Sequence, residues 1–145
     1  MITGRWLPAG VRPQEADAVW NEVFGKDGAP DSAPDSALDA VSRVALLKDN
    51  NDQCAAAGRM YYHDGAYWLD AIAVKASYRG QGYGDLLTRM MIDMAVTHGG
   101  QLIRLEAPIR CAAFFGRYGF SATEEARGTI RMEIRAEDVR LKCGR

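Results

Sequence analysis

Three closely spaced glycines are the feature of this chain that points most directly to chemistry. Gly80, Gly82 and Gly84 stand in the stretch Arg-Gly-Gln-Gly-Tyr-Gly, between an apolar run and a helical pattern. Glycine adopts positive φ angles easily and lets a ligand approach the backbone closely. The first N–H groups of a helix have no acceptor within the helix, so they can bind an anion. The stretch therefore predicts a phosphate-binding turn.

Two common phosphate motifs do not fit this turn. The dinucleotide fingerprint G-x-G-x-x-G, started at Gly80, requires a third glycine at position 85, which is Asp85. The P-loop requires a lysine directly after its last glycine, and none is present there. If this turn binds phosphate, as we expect, it does so through another kind of glycine-rich motif.

The elements around the turn follow from hydrophobic periodicity and turn residues. In chain order we predict a short strand in ITGRWL, a helix in RPQEADAVWNEVFG, strands in VSRVALLK, CAAAGRMYYH and AYWLDAIAV, a helix from about Gly82 to Thr97, a strand in QLIRLEA, a short helix in IRCAAFFGRY and a strand in TIRMEIRAED. The dipeptide Asp64-Gly65 predicts a hairpin. This order predicts an α/β fold, a mixed sheet flanked by helices with a parallel pair around the long central helix.

Composition limits the class of protein. The chain has 145 residues and a net charge of −1, without a basic stripe, so we expect a single domain over 1–145 that does not bind nucleic acid. No apolar run approaches the length of a membrane span, and the first residues lack the pattern of a signal peptide. We expect segment 25–40, which is rich in Pro, Ser and Asp, to be a mobile loop.

Cysteine and histidine content indicates neither disulfides nor a metal site. The three cysteines, Cys54, Cys111 and Cys143, are widely spaced, and the only histidines are His63 and His98. This pattern fits a reducing compartment, so we expect a cytoplasmic protein without a metal cofactor.

The glycine turn and its surroundings resemble the GNAT family of N-acetyltransferases. The family signature Gln/Arg-x-x-Gly-x-Gly/Ala is matched by Arg79, Gly82 and Gly84, after the apolar strand LDAIAV. Downstream, LEAPIRCAAFFGRYGF is similar to the short family helix that ends in Gly-Phe. The resemblance is strong from about Leu69 to Ser121. It implies a mostly antiparallel sheet with a splayed central parallel pair.

The resemblance further implies acetyl-CoA as the acyl donor. The backbone of residues 81–85 would bind the pyrophosphate, Arg79 would add charge or position the turn, and the backbone of residues 72–74 would bind the pantetheine arm. Asp85 would point to solvent or pair with Arg89, four residues on. The residues expected to contact acetyl-CoA are Ile72, Ala73, Val74, Arg79, Gly80, Gln81, Gly82, Tyr83, Gly84, Asp85 and Phe114.

Acetyl transfer to an amine needs a group that removes a proton, because an ammonium is not a nucleophile. Asp70 is one candidate base, since burial in an apolar strand would raise the pKa of its carboxyl towards neutral. The alternative role for Asp70 is that of a structural, hydrogen-bonded carboxylate. Glu106 on the next strand is the second candidate base, and its alternative is a solvated charge.

The proton donor for the leaving thiolate is where the sequence departs from the family. The family usually has Phe-Tyr in the short helix, and here the pair is Phe114-Phe115. Tyr118, three residues on, could donate the proton instead, or the thiolate could leave unassisted. We expect Cys111 to be a small buried thiol.

The acceptor is the least constrained part of the prediction. Acidic residues of two loops, Asp35, Asp39, Glu124 and Glu125, would favour a cationic amine, which could be a small molecule or a peptide. Homodimers are common in the family. A non-catalytic acyl-CoA binder of the same fold is the alternative function.

Overall fold

The computed structural model describes residues 2–25 and 40–140, and these form one mixed sheet with helices on both faces. In chain order the strands and α-helices are β1 (Thr3–Trp6), α1 (Gln14–Phe24), β2 (Arg43–Lys48), β3 (Cys54–His63), β4 (Ala66–Val74), α2 (Tyr83–Thr97), β5 (Leu102–Pro108), α3 (Ala112–Gly116), β6 (Ser121–Ala126) and β7 (Thr129–Arg135). The strand order across the sheet is β1-β2-β3-β4-β5-β7-β6, and β4 with β5 is the parallel pair. The predicted fold class is confirmed.

Turn residues determine the hairpins. Asp64 and Gly65 both have positive φ angles, 52° and 81°, as a two-residue turn between β3 and β4 requires. The same geometry recurs at Arg127 and Gly128, with φ angles of 51° and 82°, between β6 and β7. The hairpin predicted at Asp64-Gly65 is therefore present, and a second one follows it late in the chain.

Strand β6 is the element that the sequence analysis missed, because the segment with Glu124 and Glu125 was interpreted as a loop. All six residues of β6 are exposed, and the strand lies at the edge of the sheet. A strand without a buried face has no alternation of apolar and polar residues, so its sequence resembles a loop.

The core has two layers, one on each face of the sheet. Helix α2 packs on one face through a buried stripe that includes Leu87, Met91 and Ile92. Two methionines of the helix, Met90 and Met94, are only partly buried against the same layer. Helix α1 packs on the other face, over β2, β3 and the end of β4, through Val19 and Trp20.

Strands β4 and β5 pair over a short distance and then separate. Their register contains three residue pairs, from Tyr67–Ile103 to Leu69–Leu105, although β4 continues to Val74 and β5 to Pro108. A β-bulge begins just after the last pair, where Ala71 has a φ angle of +54°. The indole Nε1–H of Trp20 donates to the Ala71 carbonyl at 2.7 Å. Helix α1 thus supports the strand where it leaves its neighbour.

Replacing Trp20 by phenylalanine is expected to lower the free energy of unfolding by about 2–4 kcal/mol, because a buried hydrogen bond is lost and a smaller ring leaves a void. Trp68→Phe is the matched control, since the buried Trp68 Nε1 has no hydrogen-bond partner among the described residues. Urea unfolding of both variants measures the difference. Equal losses would mean that the indole bond to Ala71 contributes nothing specific.

Most of the predicted mobile loop, residues 26–39, lies outside the described residues, as do Asp35, Asp39 and Cys143. Within the described ranges, no helix is both long and apolar enough to cross a membrane. No group of three His, Cys, Asp or Glu side chains in these ranges is placed to hold a metal ion.

Candidate active site

A cavity of about 1210 Å³ lies between the end of β4, the first turn of α2 and helix α3. It exceeds the usual 300–1,000 Å³ of small-molecule pockets, so it has room for a nucleotide-sized ligand. Ten of the eleven predicted cofactor residues line it, and they are Ile72, Ala73, Val74, Arg79, Gly80, Gly82, Tyr83, Gly84, Asp85 and Phe114. The exception is Gln81, whose side-chain amide donates to the Ser77 carbonyl at 3.2 Å.

The glycine turn has the backbone geometry of an anion site. Gly80 and Gly82 have φ angles of 76° and 88°, and Gly82 is the N-cap of α2. A Cβ atom built on either residue would meet nothing within 4 Å, so the backbone is open to a ligand. The first hydrogen bond of the helix runs from the Leu86 N–H to the Gly82 carbonyl. The N–H groups of residues 83–85 therefore have no acceptor within the helix. These groups can bind phosphate oxygens.

Neighbouring elements hold the turn in place. The Tyr78 hydroxyl donates to Asp49 at 2.6 Å, and its ring packs edge-to-face against Tyr83 at 5.3 Å. The Ala76 N–H donates to the carboxylate of Glu22 on α1 at 2.9 Å. A turn fixed from several sides binds an anion without first losing conformational freedom.

Arg79 connects the turn to β4. Its Nε–H donates to the Val74 carbonyl at 3.2 Å, and the side chain is otherwise exposed. In this structure Arg79 therefore positions the turn, and it occupies the Val74 carbonyl, one of the backbone groups predicted to bind the pantetheine arm.

Asp85 is at the centre of a charged cluster on the cavity wall. The predicted pair with Arg89 is present, with both carboxylate oxygens 3.0–3.1 Å from Nε. Asp85 also accepts from the Tyr118 hydroxyl at 2.5 Å, and the Arg117 guanidinium is 3.7 Å away. Burial raises the pKa of the Asp85 carboxyl, but the bonds from Tyr118 and Arg89 and the nearby Arg117 charge outweigh burial and lower it below its usual range.

The hydroxyl of Tyr118 is committed to this cluster. The residue is 1% exposed, and burial together with the bond to Asp85 raises the pKa of Tyr118 to about 12. A phenol with so high a pKa is a weak acid towards a thiolate, whose conjugate thiol has a pKa of about 8.5. The geometry therefore does not support the prediction that Tyr118 protonates the leaving group.

Replacing Tyr118 by phenylalanine is expected to destabilise the protein more at pH 8 than at pH 12. The pKa of the Tyr118 hydroxyl is about 12 in the folded protein and about 10 in the unfolded chain. The neutral hydroxyl therefore stabilises the fold below about pH 10, and this contribution is lost as the pH rises through about 12. Chemical unfolding at both pH values measures the difference between wild type and variant. Tyr62→Phe, at an exposed ring, is the control. A pH-independent loss would contradict the bond to Asp85.

A second, smaller cavity of about 310 Å³ occupies the gap between β4 and β5. It shares five residues with the large cavity, and they are Phe24, Ile72, Pro108, Cys111 and Phe115. Its remaining lining residues are Leu69, Asp70, Ala71, Leu105, Glu106 and Ala107. The two predicted bases thus lie in the same small cavity, one on each strand.

Asp70 has a structural partner that the sequence analysis did not identify. Arg59, directly opposite on β3, donates to both carboxylate oxygens at 2.9 and 2.7 Å. Arg59 is only 7% exposed. This pair agrees with the structural alternative for Asp70, and its role as a base stays a prediction.

Glu106 is held more loosely. Its side chain is 54% exposed, and one oxygen accepts from Arg131 at 3.3 Å. Arg131 also lies 3.6 Å from Glu124 on β6. Neither Glu124 nor Glu125 lines either cavity, so their predicted part in an acidic mouth is not supported.

Phe115 and Cys111 lie where the two cavities meet. Phe115 is buried, and its phenyl ring has no proton to donate. Cys111 is partly exposed and lines both cavities, so the expectation that it is a buried thiol is wrong. The sequence analysis also missed Arg110, Arg117 and Arg140 in the large cavity, since isolated arginines near a short helix carry no recognisable pattern.

Comparison with known proteins identifies the family. A family model described as Acetyltransferase (GNAT) domain matches residues 41–122, more than half of the chain. The chain belongs to the GNAT acetyltransferase family. The match includes β2, β3, β4 and α2, and with them the glycine turn. No curated protein matches the chain by sequence.

Solved structures share the GNAT fold at low sequence identity. An acyl-CoA N-acyltransferase from Pseudomonas aeruginosa is 20% identical, with a TM-score of 0.78, over 92% of this chain and 99% of that one. Escherichia coli ElaA is also 20% identical, with a TM-score of 0.74 and the same coverage. A GNAT family acetyltransferase from Elizabethkingia anophelis with acetyl-CoA bound is 16% identical, with a TM-score of 0.73, over 92% and 97%.

Proposed function

We propose that this protein is an N-acetyltransferase that transfers an acetyl group directly from acetyl-CoA to an amine. One observation carries the proposal: the large cavity begins at an anion-binding glycine turn and meets a second cavity in the gap between β4 and β5. A long phosphorylated thioester in the first cavity and an amine in the second would meet at Cys111 and Phe115. This arrangement suits direct transfer.

The residues at the phosphate end would bind and orient acetyl-CoA. The space beside Gly80 and Gly82 is open, so a phosphate can approach the backbone there, and arginines of the large cavity add positive charge. The acetyl-CoA-bound structure from Elizabethkingia anophelis has the same fold, which supports this choice of donor. Binding along the whole cavity fixes the thioester beside the gap, and fixed reactants react faster than freely diffusing ones.

Glu106 is the base that the geometry favours. Protonating Asp70 would remove a bidentate partner from the buried Arg59, which is costly. Glu106 has a single contact with Arg131 and an exposed carboxylate, so it can accept a proton, directly or through water.

The thiolate would leave without a phenolic donor. Phe115 has no hydroxyl, and the Tyr118 hydroxyl is bonded to Asp85. A thiol pKa near 8.5 makes the thiolate a tolerable leaving group around neutral pH. Solvent can supply the proton after the C–S bond has broken.

A non-catalytic acyl-CoA binder is the second candidate, and the phenylalanine at position 115 favours it. Thermal-shift titration with acetyl-CoA and CoA, with ATP and NAD as controls, tests binding, because a ligand of the native state raises the melting temperature. Chromatography then measures CoA release with and without added amine. Amine-dependent release supports the enzyme, and binding without release supports the binder. The absence of any shift at millimolar acetyl-CoA would refute both.

A further inference from the structure

The two cavities have opposite charge. The large cavity is lined by one carboxylate, Asp85, and by the arginines Arg79, Arg89, Arg110, Arg117 and Arg140. The small cavity is lined by Asp70 and Glu106 and, among the described residues, by no basic side chain. The division suits an anionic donor on one side of the gap and a cationic partner on the other.

We propose that the acceptor is a compact, apolar primary amine that carries no carboxylate near its amino group. This inference rests on the proposed function and specifies the substrate of the same site. It assigns Asp70 and Glu106 a role in selecting the acceptor, in addition to any role of Glu106 as base.

The carboxylates select by charge because they flank the gap from both sides. Asp70 projects from β4 and Glu106 from β5, at the residues that follow the last pair of the parallel register. Their arginine partners, Arg59 and Arg131, lie outside the cavity lining. Each arginine offsets part of its partner's charge, but the carboxylates are the charged groups that line the gap, so an ammonium there is favoured over a carboxylate.

Size and polarity further limit the acceptor. A volume of about 310 Å³ corresponds to about ten non-hydrogen atoms, if each occupies about the 30 Å³ of a water molecule. Apart from the two carboxylates and the Cys111 thiol, the side chains that line the small cavity are apolar. A peptide of several residues exceeds this volume. A small arylalkyl or alkyl amine fits better than a peptide N-terminus.

The reaction balances without another reagent. The ammonium loses one proton to the base, its nitrogen forms a bond with the acetyl carbon, and the carbon–sulfur bond breaks. The nitrogen loses a second proton as the amide forms, and CoA leaves as a thiolate that takes up one proton. The products are the N-acetyl amide, CoA and one proton released to solvent. No electrons are exchanged with an external oxidant or reductant.

The test compares acceptors that differ in a single property. L-Phenylalaninamide and L-phenylalanine have the same shape and differ by one carboxylate, and 2-phenylethylamine lacks both groups. Rates of acetyl-CoA consumption, expressed as kcat/KM per protonated amine, the form that the gap attracts, should be at least about 30-fold lower for phenylalanine than for its amide, as expected for a nearby like charge. The tripeptide amide Phe-Ala-Ala-NH2 should be at least about 10-fold poorer than 2-phenylethylamine, because it is larger than the gap.

Glu106→Gln gives a readout that does not depend on overall rate. In this variant kcat/KM for phenylalaninamide should exceed that for phenylalanine by less than about 10-fold, because one of the two carboxylates that repel phenylalanine is gone. Glu124→Gln, which alters the other partner of Arg131 outside the cavity, should leave the ratio unchanged.

The outcomes separate the two proposals. The inference is overturned if amines are acetylated but kcat/KM is equal for phenylalanine and its amide. It is also overturned if kcat/KM is equal for the tripeptide and 2-phenylethylamine. Either result leaves the acetyltransferase assignment standing. Binding of acetyl-CoA without turnover of any amine overturns the acetyltransferase assignment, and the inference with it.

Discussion

Replacing Gly82 by aspartate is expected to weaken acetyl-CoA binding by at least about 100-fold, since two like charges about 4 Å apart repel by roughly 4 kcal/mol near a protein surface. Gly82 is the N-cap of α2, and a Cβ atom at this position would meet nothing within 4 Å. The new side chain therefore has space, and its charge lies among the N–H groups that would bind the pyrophosphate. Isothermal titration with acetyl-CoA measures the loss.

Gly82→Asn is the matched control for this experiment. Asparagine has nearly the same shape as aspartate and tolerates the positive φ angle of 88° about as well, but it carries no charge. We expect it to lose much less affinity than the aspartate variant, and both variants to keep their fold. Similar losses in both would indicate that the side chain acts by its bulk, and retained affinity in Gly82→Asp would refute a phosphate site at this turn.

Replacing Glu106 by glutamine is expected to lower kcat for amine acetylation by about 100-fold, which is the lower end of what a general base contributes. The amide keeps the size of the side chain but cannot accept the proton of the ammonium. Acetyl-CoA affinity should change little, because Glu106 lies in the small cavity and not in the large one. Steady-state kinetics with saturating amine, together with titration of acetyl-CoA, separates the two effects.

Glu124→Gln controls for the loss of charge near Arg131, because Glu124 contacts the same guanidinium from outside both cavities. It should keep most of the wild-type rate. If Glu106→Gln keeps its rate as well, another group or water must remove the proton. A variant at Asp70 could not make the same point, because breaking the Arg59 pair would also destabilise the sheet.

Features that depend on neighbouring residues in the chain were predictable from the sequence. The glycine turn, the start of α2 and the Asp85–Arg89 pair all depend on contacts within a few residues, and all three are present. The Asp64-Gly65 hairpin was predictable for the same reason, because only a few residue types adopt its φ angles at low cost.

Features that depend on distant packing were not predictable, and one that depends on register was overlooked. The Arg59–Asp70 pair lies on the register of the Asp64-Gly65 hairpin, which runs unbroken from His63–Ala66 to these two residues, but the sequence analysis did not extend the hairpin that far. The bond between Tyr118 and Asp85 joins residues 33 positions apart, and the bond between Trp20 and Ala71 joins residues 51 apart. Each of them changes the interpretation of a candidate site residue or of the strand that carries it.

The separation of β4 from β5 gives the sheet a second pair of edges in its interior. An unpaired strand edge can recruit a strand from another molecule, and natural sheets block such pairing with bulges, prolines and inward-pointing charges. The inner edges carry all three: the bulge at Ala71, the proline at Pro108, and the charges of Asp70 and Glu106. The residues that shape the gap therefore also protect the protein against aggregation through its middle, so variants made to widen or neutralise the gap carry a risk to solubility as well as to activity.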